Sequence, residues 1–410
     1  MNFAGLLKAL GWLTISFLYA YIFGGRVPYF IFYTSLGVLA AAFLCSRVNS
    51  RVAGHCYTEA VTAQAGRKVK VIVEVKNNSG WPLPWVQYWI QMPGTFCLPD
   101  NLGCYTFSLG PHEKKVISED LECKLRGNYT WGHGLIKTGD IFGIFTRAKQ
   151  NGEHRQITVL PEVCDLGPDL GVVAGLQFGE TAVSLHTSRS GTGYLGVRRY
   201  DAGDPMSRIH WKASARTQHL LVKEFQEQEL MEFCIYLDLN EDNHAGSGPG
   251  GSLEKAVSLA ASLAFMGMRS GYGVGLIAFG PERKVIPVGY GKGNFNLILK
   301  TLVDIQPGKG FNFGEVVGHE LPLLRKNRCA MVITGRVDGR LAEGLAWLKA
   351  RGQESSVFVL KTETFGSTGV DTAEQAGNVS RLKITGIPVA WVAKDSDLRL
   401  TFRGLDYEIG

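Results

Sequence analysis

The chain lacks the short motifs that mark several common enzyme classes. Its 410 residues contain no G-x-x-x-x-G-K-[ST], which excludes nucleotide hydrolysis through a P-loop. Neither G-x-S-x-G nor H-E-x-x-H occurs, and these are patterns of α/β-hydrolases and of zinc peptidases. The eight cysteines form no C-x-x-C pair, so neither a zinc ribbon nor a disulfide framework is indicated. We therefore expect a non-enzymatic protein with no catalytic residues and no bound cofactor.

A large excess of one charge is also missing. The 43 basic and 37 acidic residues leave a net charge of +6, and no long run of like charges occurs. This balance does not predict a nucleic-acid partner. With 45% hydrophobic and 20% charged residues, the composition is that of a globular protein, and the length suits two or three domains.

Long apolar runs, by contrast, are present near the N-terminus. Residues 5–23 are apolar apart from Lys8, and residues 27–45 carry no charge. Each run of about 19 residues is roughly 28 Å long as a helix, which matches the hydrocarbon thickness of a bilayer. Only residues 24–26 separate the runs, so residues 1–46 are predicted to form a transmembrane helical hairpin.

Basic residues follow the second apolar run. Arg47 and Arg51 come directly after it. Because positive residues favour the cytoplasmic side of a membrane, we expect the rest of the chain in the cytoplasm, although Arg26 between the runs opposes this bias. The prediction is a two-pass protein of the cell membrane, with the lipid bilayer as its first partner.

Strand patterns dominate residues 55–165. Residues 68–75 alternate as KVKVIVEV, the period-two pattern of a half-buried strand. Short strands with frequent turns favour a β-sandwich or barrel, and we expect an Ig-like β-sandwich domain here. The other predicted strands are 86–92, 114–125, 129–137 and 156–160. Core packing, rather than a binding face, is expected for the tryptophans Trp81, Trp85, Trp89 and Trp131.

The C-terminal half alternates between strand-like and helical patterns. Residues 166–193, rich in Gly and Ser, are predicted to be a linker, and residues 194–410 to form the last domain. Its alternation predicts a doubly wound sheet of parallel strands with right-handed crossovers. The predicted strands are 233–239, 273–279, 284–288, 329–334, 356–360 and 388–392. The predicted helices are 252–269, 294–305, 341–351 and 372–376.

Charge and aromatic residues concentrate between residues 194 and 228. Asp204-Pro205 reads as a helix start, with Asp as N-cap and Pro at the first helical position. A helix from residue 204 to 217 would place Arg208, Lys212 and Arg216 on one face. A strand over residues 220–225 follows.

Three cations on one helical face repel one another unless negative charge is nearby. One interpretation is an internal lattice of salt bridges to the carboxylates Asp201, Asp204, Glu224 and Glu227. The other is an external anionic or protein partner, and both can hold together. The candidate residues for either role are Arg198, Arg199, Tyr200, Asp204, Arg208, His210, Trp211, Lys212, Arg216, Lys223 and Glu224.

These residues also carry a family resemblance. The pattern R-x-Y-x-x-G-D-x-x-x-R-I-H-W-K-x-S-A-R over residues 198–216, followed by L-x-V-K-E-F over 220–225, resembles the signature of the domain-of-unknown-function 58 family. The resemblance implies a membrane-anchored partner of MoxR-type AAA+ ATPases, with a von Willebrand factor A-like domain after the signature. The expected function is therefore a scaffold or adaptor.

Two alternative functions remain open. A von Willebrand A domain places a metal-dependent adhesion motif, Asp-x-Ser-x-Ser, after its first strand. Here Asp238 matches it, while Asn240 and Asp242 replace the serines, so a divalent cation and an adhesion role form one alternative. We expect Asp238 to be a structural strand-end residue instead. A hydrolase centred on His210, with a serine on a neighbouring helical turn, is the third hypothesis.

Overall fold

The computed structural model divides into two compact units, residues 1–162 and 163–410. Both strands and helices are present, as predicted. The residues that the structure describes are 3–48, 51–58, 60–90, 96–97, 103–131, 134–140, 145–151, 155–167, 193–201, 204–217, 219–226, 231–321, 324–325, 328–366, 372–396 and 398. Most of the predicted linker, residues 168–192, lies outside them.

The first unit begins with the expected helical hairpin, α1 (Phe3–Phe23) and α2 (Arg26–Val48). Gly24 and Gly25 make the turn at φ 58° and 86°, a left-handed conformation that glycine adopts without steric cost. The two helices are in contact. Trp12 Nε1 donates a hydrogen bond of 3.2 Å to Ser35 Oγ on the facing helix.

Large apolar side chains are exposed along both helices of this hairpin. The segment Arg26–Phe43 is long and apolar enough to cross a bilayer, and the apolar segment Leu7–Phe23 is shorter. Residues 1–46 thus contain one or two candidate membrane helices.

The rest of the first unit is built mainly from antiparallel strands, with one parallel pair, β2 and β11. Two four-stranded sheets, in the orders β1-β3-β7-β5 and β10-β9-β4-β6, contribute side chains to one common core. A three-stranded sheet has the order β2-β11-β8. The strands are β1 (Val52–Thr58), β2 (Thr62–Gln64), β3 (Lys68–Asn77), β4 (Leu83–Ile90), β5 (Phe96–Cys97), β6 (Cys104–Leu109), β7 (Lys114–Cys123), β8 (Gly127–Trp131), β9 (Gly134–Gly139), β10 (Thr146–Asn151) and β11 (Arg155–Leu160).

Two expectations for this region are wrong. The single strand predicted over 129–137 is two strands, because β8 pairs with β11 while β9 pairs with β4. The tryptophans do not all pack in the core. Trp81 and Trp89 are exposed, and Trp85 is half-buried with its Nε1 donating to the Asp140 carbonyl at 2.8 Å. The side chain of Trp131 lies outside the described residues.

The second unit opens with the strands β12 (Gly193–Arg199) and β13 (Leu221–Gln226) and a short helix, α3 (Trp211–Thr217). A six-stranded sheet follows in the order β16-β15-β14-β17-β18-β19. Its strands are β14 (Glu232–Asp238), β15 (Gly273–Phe279), β16 (Lys284–Gly289), β17 (Arg328–Thr334), β18 (Ser355–Leu360) and β19 (Val389–Val392). The helices are α4 (Ser252–Ser270), α5 (Gly291–Asp304), α6 (Phe313–Glu320), α7 (Gly339–Ala350) and α8 (Thr372–Ile384).

Burial explains why the central strands read as continuous apolar runs. From Phe233 to Asp238 every residue of β14 is buried, and so is every residue of β18. A strand covered on both faces needs apolar side chains at consecutive positions. Buried polar residues in these strands are exceptions, and Asp238, a carboxylate at the end of β14, needs a separate explanation.

The sheet differs from the prediction at one edge. β16 runs antiparallel to β15, whereas an all-parallel sheet was expected. Residues 280–283 alone connect the two strands, and so short a connection cannot make the crossover that parallel strands require. The helix α6 was also missed, since its sequence FGEVVGHE contains two glycines that weaken the helical pattern.

A tight backbone approach holds the loop after β14 against the end of β17. A Cβ atom added to Gly335 would lie 1.7 Å from the Asn243 carbonyl oxygen. We therefore expect Gly335→Ala to lower the free energy of unfolding by about 1–3 kcal/mol, because the backbone must shift. The measurement is thermal unfolding of the detergent-solubilised chain.

The matched control is Gly339→Ala at the start of α7, where an added Cβ meets no atom within 4 Å. This variant should unfold at or slightly above the temperature of the parent protein. Equal destabilisation by both substitutions would show that the contact with Asn243 is not what constrains Gly335.

Candidate functional site

The signature residues form a two-stranded β-ribbon and a short helix that is hydrogen-bonded to it. β12 and β13 pair antiparallel, with Arg198 opposite Val222 and Val197 opposite Lys223. Residues 202–203, including the glycine of the signature, lie outside the described residues. The connection between the strands brings most of the candidate residues together.

The helix predicted from residue 204 to 217 is wrong in its first half. Met206–Arg208 form a single 3₁₀ turn, and Ile209 is extended at φ −66°, ψ 130°. Ile209 is 3% exposed and bridges to Val222 on β13. The His210 N–H donates to the Leu221 carbonyl at 2.8 Å. These strand-type contacts interrupt the helix, which begins only at Trp211.

The interruption changes the arrangement of the cations. Lys212 and Arg216 are four residues apart on α3, so they share a helical face. Arg208 lies on the 3₁₀ turn instead, so the predicted continuous row of three cations does not exist. All three side chains are exposed.

Asp204 is not the predicted helix cap. Its Oδ2 and Oδ1 accept hydrogen bonds from Arg198 Nη1 and Nη2 at 2.8 and 2.7 Å. Oδ2 also accepts from the Asp201 N–H at 3.0 Å. The Arg198 hydrogen bond, and then the Asp201 N–H, hold the pKa of Asp204 below its ordinary value. Such a bidentate pair fixes the Arg198 side chain in place.

One pair of the predicted salt-bridge lattice, Arg198 with Asp204, lies among the described residues. Arg198 also approaches Asp201, at 3.7 Å. Among the ion pairs of the described residues, none includes Arg208, Lys212 or Arg216. Glu227 and the side chain of Glu224 lie outside the described residues.

Exposed apolar side chains flank these cations. Met206 is 68% exposed and Trp211 is 64% exposed. Of the remaining candidates, Arg199 is exposed, whereas Tyr200 and Lys223 are half-buried. We call the exposed group Met206, Arg208, Trp211, Lys212 and Arg216 the signature surface.

His210 and Ser214 attach α3 to β13. The Ala213 N–H donates to His210 Nδ1 at 3.1 Å, so the imidazole ring caps the first turn of α3. The same N–H also donates to the His210 carbonyl at 3.0 Å, so the ring nitrogen is one of its two acceptors. Ser214 Oγ donates to the His210 carbonyl at 3.1 Å and accepts from the Leu221 N–H at 2.9 Å. These contacts are structural, and the serine does not bond to the imidazole as a nucleophile–base pair would.

The metal candidates lie at the carboxyl end of β14. Asp238 is fully buried, and burial raises the pKa of its carboxyl above the ordinary value. Its Oδ1 accepts from the Asn240 N–H at 2.9 Å. Its Oδ2 accepts from Asn243 Nδ2 at 2.8 Å and from Thr334 Oγ1 at 2.7 Å. Asp242 is exposed.

This geometry favours a structural role for Asp238. Both carboxylate oxygens are already engaged by protein donors, which a cation would have to displace. Asn240 Oδ1 accepts from the Asp242 N–H and its Nδ2 donates to the Phe311 carbonyl. Among the described residues, no group of three or more His, Cys, Asp or Glu is placed to hold a metal ion.

Sequence reasoning missed three residues of these networks. Ser214 is, with Ser207, one of the two serines that the hydrolase hypothesis pairs with His210, although its position one turn after His210 also suits a contact between helix and strand. Thr334 carried no signal, because it meets Asp238 only once β14 and β17 are paired. Asn243 is five positions after Asp238, and no local pattern marked its amide as a donor to that carboxylate.

The capping role of His210 predicts a difference between two substitutions. His210→Ala removes the side-chain acceptor of the Ala213 N–H, which also donates to the His210 carbonyl at 3.0 Å. It should lower the free energy of unfolding by up to about 1 kcal/mol, whereas His210→Asn keeps a capping acceptor and should cost less. Thermal unfolding of both variants measures this. Equal losses would mean that the imidazole has a role other than capping.

Comparison with known proteins identifies the family of this segment. Residues 196–364 match the family model described as "Protein of unknown function DUF58". The chain is 25% identical over 309 residues to the "Uncharacterized protein YeaD" of Bacillus subtilis (strain 168), which covers 70% of this chain and 71% of that protein.

Solved structures are more distant. The CARDB domain of the PF1109 protein from Pyrococcus furiosus is 18% identical with a TM-score of 0.21, over 26% of this chain and 86% of that one. The sporulation control protein Spo0M of Bacillus subtilis is 13% identical with a TM-score of 0.18, over 37% and 58%. Scores this low carry no conclusion about fold. Residues 196–364 match the DUF58 family model, as the signature beginning at Arg198 predicted.

Proposed function

We propose that the protein is a membrane-anchored, non-enzymatic scaffold or adaptor that docks a protein partner through the signature surface. One observation carries the proposal. Arg208, Lys212 and Arg216 are exposed beside Trp211 and join no ion pair among the described residues. Among the described ion pairs of this segment, Arg198 is the arginine that pairs with carboxylates. That pairing stabilises the ribbon.

The chemistry of this surface suits a protein partner with negative charge. Protein interfaces are enriched in Trp, Met and Arg, and their strongest contacts centre on aromatic and arginine side chains. Trp211 and Met206 provide apolar contact area at two points of the surface. The cations beside them would supply electrostatic steering toward an acidic partner.

A MoxR-type AAA+ ATPase is the partner that we propose. This identity rests on the resemblance of the signature to the DUF58 family. The signature surface supports only the broader claim of a protein with an acidic face. A client protein or a regulator with an acidic face would use the same contacts.

The two folds that we propose follow from topology. The order β16-β15-β14-β17-β18-β19, with one antiparallel strand at the edge, supports a von Willebrand A-like domain. The two antiparallel sheets around a common core in the first unit support an Ig-like β-sandwich.

Membrane anchoring is supported by the surface of the helical hairpin. Aromatic and aliphatic side chains such as Trp12, Phe17 and Phe30 are exposed there, and exposed apolar surface of that extent is stable against lipid rather than water. We propose a two-pass anchor. Arg47 and Arg51 support a cytoplasmic location for the rest of the chain by the positive-inside rule.

The docking surface is tested by charge reversal. Arg208→Glu combined with Lys212→Glu should abolish recovery of the AAA+ ATPase when the tagged chain is captured from native membranes, with and without ATP. The unfolding temperature should stay nearly unchanged, because both side chains are exposed. Mass spectrometry identifies and quantifies the captured ATPase.

The control for that experiment reverses two exposed cations of α5, Lys292→Glu and Lys300→Glu, which changes the net charge by the same amount. The control should capture the ATPase as well as the parent chain does. Equal capture by the Arg208/Lys212 variant would sink the docking proposal. A collapse of its unfolding temperature would instead assign these cations to the internal lattice.

The anchor gives a separate expectation. The full chain should stay in the membrane fraction after alkaline carbonate extraction, and deletion of residues 1–46 should release it. A reporter that works only in the cytoplasm should be active when fused at the C-terminus, and a reporter that works only in the periplasm should be inactive there. Extraction of the full chain by carbonate would contradict a spanning hairpin, and an active periplasmic reporter would contradict the sidedness.

A further inference from the structure

The carboxyl edge of the six-stranded sheet holds a cleft that the proposed docking function does not use. The cleft has a volume of about 600 Å³, which is in the range of ligand sites. It lies beyond the ends of β14 and β17, from which the chain continues to opposite sides of the sheet. Open α/β sheets bind their ligands at this kind of switch point.

Negative charge predominates in the cleft. Four carboxylates line it, Asp242, Asp338, Glu343 and Glu374, against two guanidinium groups, Arg336 and Arg340. Both guanidinium groups already have carboxylate partners. Arg336 Nη2 bonds to Glu374 at 3.3 Å, and Arg340 bonds to Glu315.

The carboxylates divide into two groups by their contacts. Asp338 Oδ1 caps α7 by accepting from the Leu341 N–H at 2.8 Å, and Glu374 is paired with Arg336. Asp242 and Glu343 are exposed to the cleft and join no ion pair among the residues that the structure describes. The charge of these two groups is thus left to solvent or to a ligand.

A nearly buried acceptor lies among the same lining residues. Asn243 is 7% exposed and lines the cleft. Its Nδ2 donates to Asp238 Oδ2. A carboxylate only accepts, so the amide orientation is fixed and Oδ1 is the other end. No described residue donates a hydrogen bond to that oxygen, so it can accept one from a group bound in the cleft.

We propose that the cleft binds the guanidinium group of an arginine side chain presented by another polypeptide. A guanidinium carries five N–H donors and one positive charge, which match an acceptor amide and two carboxylates. Phe311 also lines the cleft, with its side chain partly buried against the core. The cleft shares no residue with the signature surface, so the inference stands independently of the proposed function.

The test measures binding of short peptides to the detergent-solubilised full chain by isothermal calorimetry. The probes are acetyl-Gly-Arg-Gly-amide and its isostere with citrulline in place of arginine, which is uncharged. We expect saturable binding of the arginine peptide and at least about tenfold weaker binding of the citrulline peptide. Equal affinity for the two peptides would overturn the proposal.

Variants locate the site. Asp242→Asn combined with Glu343→Gln should weaken binding of the arginine peptide by about tenfold or more. The control Glu282→Gln, an exposed carboxylate outside the cleft, should leave binding unchanged, and both variants should keep the parent unfolding temperature. Undiminished binding by the cleft variant would refute the site.

Two further outcomes bear on the ligand. Free arginine that binds as tightly as the peptide would assign a small molecule and overturn the polypeptide source. In the other outcome, magnesium chloride binds the chain and displaces the peptide, with magnesium and peptide binding both lost in the Asp242/Glu343 variant. That outcome would assign a metal site in place of the arginine site.

Discussion

The extended pair Ile209–His210 decides how the signature segment is presented. Ile209 is buried and bridges to Val222, and the His210 N–H bonds to the Leu221 carbonyl. These contacts make β13 the support for the following helix. Because the chain cannot be helical and extended at the same residue, Arg208 is separated from the helix that carries Lys212. The exposed cations thus come from two short elements with different orientations.

Local sequence patterns predicted the elements whose formation depends on local burial. The alternation of β3 and the apolar run of β14 each report a single strand and its covered faces. The signature was recognisable as a motif, but its geometry was not. Asp204 followed by proline has the form of a helix cap, and the structure gives its carboxylate to Arg198 instead. Residue spacing alone does not tell whether an aspartate such as Asp204 caps a helix or forms a bidentate ion pair.

Longer-range contacts account for the other differences. Thr334 meets Asp238 from 96 positions away in the sequence, so the network at the carboxyl edge exists only after the sheet has formed. Asn243 is only five positions from Asp238, but its carbonyl packs against Gly335 of a distant segment. A pattern read along one segment contains neither the Thr334 contact nor the approach of Gly335. The buried end of β14 is stabilised by neutral donors, and this distinguishes it from an open metal ligand.

The antiparallel edge strand β16 has a consequence for the sheet as a whole. It contains Pro287, which has no N–H to offer a neighbouring strand, and it begins with Lys284 beside Glu282. Proline and charge on an edge strand disfavour pairing with a further strand. The sheet therefore terminates at this side, and copies of the protein held close together can remain separate instead of joining into a continuous β-structure.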